Sequence, residues 1–229
     1  MNDLTRRSLG PLAAATAVAC PAFLYGLHVD ALAIRVPAKP WIHLLLVGWI
    51  LAAGTGDRGG AGLAYARRVA TAIAVCMVAD VVLEFRGPMF LAGMGIFLAA
   101  QLTLASAFAM RTRSPQPLAA VTVTAALGAA FATISPGLGA MRLPVMAYMT
   151  AIGTMMWRAL AGVTVDVRGC GASARLAAMG ALVFGVSDTM IALDRFHAPF
   201  AGARYLIILT YWAALALLAG SAVTATRQR

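Results

Sequence analysis

Apolar runs of about 17–23 residues recur along this chain, the length a helix needs to cross about 30 Å of hydrocarbon. They fall at Leu12–Val29, Trp41–Gly54, Val69–Phe85, Met89–Met110, Leu118–Ile134, Leu143–Leu160, Leu176–Leu193 and Ala203–Ala222. The second run is short and leans on Trp41 and Trp49 as interfacial anchors. A membrane barrel would show alternating segments of about 10 residues, and none are seen. At 62% hydrophobic and 11% charged residues, the chain lacks the polar surface that a soluble domain of this size needs. The connectors are short, Gly-rich and basic, and none has room for a soluble domain. The expected fold is therefore an all-α membrane protein, a bundle of about eight transmembrane helices forming a single polytopic domain over residues 1–229.

The net charge of +10 is distributed as membrane loops distribute it. Lys and Arg stand singly or in pairs between apolar runs, with no basic stripe interleaved with aromatics, which argues against nucleic acid as a partner. With the N-terminus inside, about twice as many of them fall in inner connectors as in outer ones, so both termini are expected in the cytoplasm. The twin arginine Arg6-Arg7 before an apolar run, with Ala17-Val18-Ala19-Cys20 behind it, has the outline of an export signal. With seven further spans behind it, it reads instead as the inner anchor of the first helix. Cys20, Cys76 and Cys170 have no paired spacing and read as apolar thiols. The glycine-rich loop Gly54–Gly60 lacks the Lys-Ser/Thr of a phosphate loop.

Against this background the ionisable residues inside the runs stand out. Asp188 lies within Ala177–Phe196, and Asp80 and Glu84 lie in the third run. A charge at the centre of a membrane helix costs at least about 2.5–3.5 kcal/mol on insertion scales, so such residues are functional candidates. At 1.5 Å per residue, Asp80 and Asp188 are about 9 and 12 Å below the outer end of their spans. Tyr148 and Tyr211 enter to similar depths, and Lys39 tops the second run, where a lysine can snorkel to the interface. Asp80 and Glu84 are four apart and share a helix face, so they cannot both ionise cheaply unless a cation such as Lys39 or Arg86 is close. The bland alternative for Asp80 and Asp188 is an interhelical hydrogen bond that holds the bundle together. Asp194 and Arg195 read as a solvated pair at a helix end. His28, His43 and His197 scatter near the outer face without metal-ligand spacing, so neither a metal nor any other cofactor is expected.

In order along the chain, Lys39-Pro40, Asp80 with Leu83, Phe90, Gly93, Phe97 and Ala100-Gln101, Pro144-Val145 with Tyr148, and Gly180-Ala181 with Phe184, Ser187-Asp188, Ala192 and Phe196 resemble the motifs of the YhhN/TMEM86 family of membrane proteins. Ala79, Leu104 and Ala214 depart from that pattern. The resemblance implies a lysoplasmalogenase, which hydrolyses the vinyl-ether bond of a lysoplasmalogen to a fatty aldehyde and a glycerophospho-headgroup. It also implies a lysophospholipid substrate drawn from the bilayer of, in a bacterium, the inner membrane. A vinyl ether is cleaved by protonating its carbon; water then attacks the oxocarbenium ion, which suits two carboxyl groups acting as acid and stabilising base. Asp80 and Asp188 are the expected catalytic pair. Lys39 is then the candidate for the phosphate, and Glu84, Tyr148, Ser187 and Tyr211 complete the expected substrate contacts.

Two other classes fit the same residues. A proton-coupled transporter would use the carboxylates as a relay, and the two deep aspartates are four spans apart, as a repeated half would place them. A purely structural membrane protein would bond them to neighbouring helices. A polar pocket closed towards the inner side separates an enzyme from a transporter.

Overall fold

Each apolar run lies almost wholly within one helix. The structure is a computed structural model and describes residues 3–55, 60–85, 87, 89–164 and 171–227. Its helices are α1 (Asp3–His28), α2 (Leu32–Ala38), α3 (Pro40–Gly54), α4 (Ala61–Glu84), α5 (Met89–Ala109), α6 (Pro117–Ile134), α7 (Arg142–Thr164), α8 (Gly171–Phe196) and α9 (Ala203–Arg227), with two short 3₁₀ turns between α6 and α7. Among the described residues there is no strand.

Among the described residues, six helical stretches are long and apolar enough to cross a membrane: α1 from Leu9, α2 with α3 as one stretch, α5, α6, α8 and α9. The sequence reading of about eight spans also counted α4 and α7. Neither is among these six: α4 carries Arg67, Arg68, Asp80 and Glu84, and α7 carries Arg142 and Arg158.

The short helix α2 is absent from the sequence reading, which treated residues before Trp41 as a connector. Proline cannot donate a backbone hydrogen bond, so Pro40 ends α2 and opens α3. Lys39 between them keeps helical angles (φ −65, ψ −37) and donates to the Arg35 carbonyl at 3.1 Å. The helical register therefore runs through the junction, and Arg35, Lys39 and His43, four apart, share one face.

Packing sets the rest. Neighbouring contacts close a ring in the order α3, α4, α5, α7, α8, α9 and back to α3. α1 lies outside on α3, and α6 outside on α7 and α8. Phe23, Ile73, Phe108, Phe184, Leu215 and Leu218 are among the fully buried side chains that fill the bundle. Small residues bring helices close, as expected where lipid offers no hydrophobic drive between them. A Cβ on Gly180 of α8 would sit 2.9 Å from Leu218 Cγ of α9. α6 is the loosest member, with only Val123 and Ile134 buried. That looseness leaves space between it and α5, α7 and α8.

Candidate active site

Two rows of charged side chains interlock between the α2–α3 stretch and α4. Lys39 Nζ lies 2.7 Å from Glu84 Oε1 and 3.4 Å from Asp80 Oδ1. Arg35 Nε lies 2.8 Å from Glu84 Oε2, and its Nη1 is 2.6 Å from Asp30. His43 Nε2 lies 2.9 Å from Asp80 Oδ2. The four-residue spacing on both sides makes this possible: each step of one turn along one helix meets one step along the other. Lys39 is 7% exposed and Asp80 5%, so the lysine does not snorkel to the interface as its position in the sequence suggested. Glu84 finds Lys39, one of its two expected partners; Arg86, the other, is outside the described residues.

His43 is the residue that sequence reasoning missed. Grouped with His28 and His197 as interfacial, it is instead completely buried. Its Nδ1 is 3.3 Å from the Lys39 carbonyl, an acceptor only, so a proton belongs there. Its Nε2 is 3.1 Å from the Tyr211 hydroxyl as well as 2.9 Å from Asp80 Oδ2, and its approach to the carboxylate is off the hydrogen-bond axis. The His43 ring thus bridges Asp80 and Tyr211. The missed signal was the four-residue step from Lys39 to His43.

Asp188 stands in different surroundings. It lies at the edge of an apolar cavity between α5, α6, α7 and α8. Leu83, Phe97, Leu127, Ile152 and Phe196 are among its walls, and Tyr148, Asp188 and Thr189 are its polar groups. The Tyr148 hydroxyl donates to Asp188 Oδ2. Behind Tyr148 lies Gln101 of α5, fully buried, with neither amide atom hydrogen-bonded among the described residues. An apolar lining with a few convergent polar groups is the usual make-up of a small-molecule site.

The cluster and the cavity share a wall. Tyr211 stacks edge-on against Phe97 and Phe184, with centroids 6.0 and 5.4 Å away, and Phe97 lines the cavity. The Cys76 thiol touches the Tyr211 hydroxyl and lies within electrostatic reach of both Asp80 and Asp188. Of the expected site residues, Lys39, Asp80, Glu84 and Tyr211 thus form one group and Tyr148 and Asp188 a second beside it. Ser187 belongs to neither. It is fully buried, and its hydroxyl donates to the Ile207 carbonyl at 3.0 Å, joining α8 to α9. Asp194 and Arg195 do not pair: Asp194 accepts the Phe200 amide at 3.3 Å, and Arg195 stacks on Phe90. Among the described residues no cluster of His, Cys, Asp and Glu could hold a metal ion.

Proteins with similar sequences include several named lysoplasmalogenases. The chain is 36% identical over 190 residues to human lysoplasmalogenase TMEM86A, covering 80% of this chain and 73% of that one. It is 38% identical over 135 residues to the cattle protein of the same name, covering 58% of this chain and 55% of that protein, a little over half of its length. It is 34% identical over 161 residues to pig lysoplasmalogenase TMEM86B, covering 69% and 64%. No solved structure matches it. The YhhN family pattern matches residues 34–222, which contain the charged cluster, the cavity and both aspartates, and the chain belongs to the YhhN family.

Proposed function

We propose that this protein is a lysoplasmalogenase-like membrane hydrolase whose reaction centre is Asp188 with Tyr148 on the cavity wall, supported by Asp80, His43 and Tyr211 behind it. The observation that carries the reading is the placement of a carboxyl–phenol pair in an otherwise apolar cavity deep in a membrane bundle, in a chain similar to named lysoplasmalogenases. An alkenyl chain finds apolar walls there, and its vinyl ether meets the polar spot.

In this reaction Asp188 gives its proton to the vinyl carbon remote from the ether oxygen, leaving an oxocarbenium ion beside the new carboxylate. Water adds to the carbon next to oxygen and loses a proton to Asp188, giving a hemiacetal. Collapse of the hemiacetal releases the aldehyde and returns a proton to the glycerol oxygen. Tyr148 orients the carboxyl, and the free amide of Gln101 suits the attacking water. The Asp80–His43 unit, reached through Tyr211, supplies a second place for a proton and a negative charge near the cation. General acid–base help of this kind is typically worth about 10²–10⁴-fold.

The membrane setting follows the same reading. Pairing of Asp80 and Glu84 with Lys39 and Arg35 lets α4 count as a span, and α7 packs between α5 and α8 as one more, giving about eight transmembrane helices in a single domain. The distribution of Lys and Arg favours cytoplasmic termini, the site in the outer half and, in a bacterium, the inner membrane. The lysolipid would come from the bilayer, past loosely packed α6. Large buried side chains such as Tyr65, Phe108 and Leu218 fill the other half of the bundle, which favours an enzyme over a transporter that must open to both sides.

The test is mass-spectrometric detection of fatty aldehyde after a 1-alkenyl lysophospholipid is added to the detergent-purified protein. Asp188→Asn is expected to lose at least about 100-fold in turnover while remaining folded. Wild-type turnover in Asp188→Asn would remove Asp188 from the chemistry.

A further inference from the structure

Of the six α8 residues that line the cavity, Gly185, Asp188, Thr189, Ala192 and Phe196 follow one helix face, with Ile191 at its side. Arg195 is two turns beyond Asp188 on nearly the same face, about 10 Å further along the axis. Its guanidinium carbon lies 3.7 Å from the centre of the Phe90 ring and 5.8 Å from that of Phe196. Both rings line the cavity and meet edge-on at 6.3 Å, so they form its rim at this end. The side chain is exposed, and among the described residues it makes no ion pair. Neighbouring Asp194 is turned to the Phe200 amide. Stacking thus fixes the guanidinium at the mouth of the cavity and leaves its N–H fork unused.

Among the other described cations at this end, Arg142 lies over the Phe131 ring, which does not line this cavity, and three are held in ion pairs. Lys39 lies between Glu84 and Asp80, Arg35 between Glu84 and Asp30, and Arg204 beside Asp30. We infer that Arg195 is the residue that recognises the phosphate of the substrate, as a phosphodiester attached to the glycerol. The inference rests on the lysoplasmalogen reading of the cavity. In that lipid five bonds separate the ether oxygen from phosphorus, about 6 Å when extended. With one hydrogen-bond length of about 3 Å towards the guanidinium, this matches the rise from Asp188 to Arg195. A planar fork suits two phosphate oxygens better than an ammonium does.

The experiment compares two substrates on the purified full chain: 1-alkenyl-glycerophosphocholine, and 1-alkenylglycerol, which lacks the phosphate. Arg195→Ala is expected to raise KM for the phosphate-bearing lipid about 10-fold or more with kcat little changed, and to leave both constants for alkenylglycerol unaltered. Arg195→Lys keeps the charge and should recover part of the loss. Arg204→Ala, which removes a charge from the same end away from the mouth, should change neither substrate. Equal effects of Arg195→Ala on both substrates, or no effect on either, would overturn the assignment. Inhibition of the wild type by millimolar inorganic phosphate that persists in Arg195→Ala would place the phosphate contact elsewhere and overturn it as well. Absence of aldehyde from both substrates with the wild type would instead reject the underlying reaction.

Discussion

Replacing Lys39 by methionine separates two roles for this residue, a structural counter-charge and a substrate contact. Its ammonium lies 2.7 Å from Glu84 and 3.4 Å from Asp80. At an effective dielectric constant of about 20, those pairs attract by about 6 and 5 kcal/mol. Burying the charges offsets much of this, so the measurable quantity is the cost of leaving Asp80 and Glu84 short of a cation, about 3–5 kcal/mol. For a chain of this length each kcal/mol moves the melting temperature by about 2–4 °C, so Lys39→Met should melt at least about 6 °C lower. Thermal unfolding in detergent, followed by the fluorescence of the four tryptophans, reads this directly. Lys39→Met with Glu84→Gln removes one charge of each sign and should regain at least half of the loss. An unchanged melting point together with a raised KM would refute the counter-charge argument and place Lys39 on the substrate phosphate.

Tyr148→Phe removes the hydroxyl that orients Asp188 and should lower kcat about 10- to 100-fold with KM little changed, measured as aldehyde release. Ser187→Ala loses one interhelical hydrogen bond, so it should cost about 1 kcal/mol in thermal stability and leave KM unchanged. If Asp80 acts on the cavity through Tyr211, a cycle of Tyr211→Phe with Asp80→Asn should be strongly non-additive, the double variant being no slower than the slower single one. Multiplying effects in that cycle would mean that the two act separately.

The architecture was legible in the sequence because membrane helices are specified locally: a run of apolar residues satisfies its own backbone whatever surrounds it. The helices that carry Asp80, Asp188, Tyr148 and Tyr211 could be read for the same reason. What one dimension could not supply was which faces meet. Lys39 was placed by its own side chain, as a lysine at an interface, whereas its position is set by the two carboxylates of α4. His43 had no partner within metal-ligand spacing because its partners come from α4 and from α9, the latter 168 residues away. Arg195 was paired on paper with its sequence neighbour, yet adjacent residues on a helix point about 100° apart and rarely meet. Each of these misreadings concerns a charged residue, and each has the same cause. A charge in a membrane protein is placed by the opposite charge or ring that makes its burial affordable, and that partner is nearly always on another helix. The carboxyl that faces the cavity is the exception: Asp188 has a phenol, not a cation, as its hydrogen-bond neighbour. A proton can leave it and return without an ion pair being broken, which is what a proton donor in an apolar site requires.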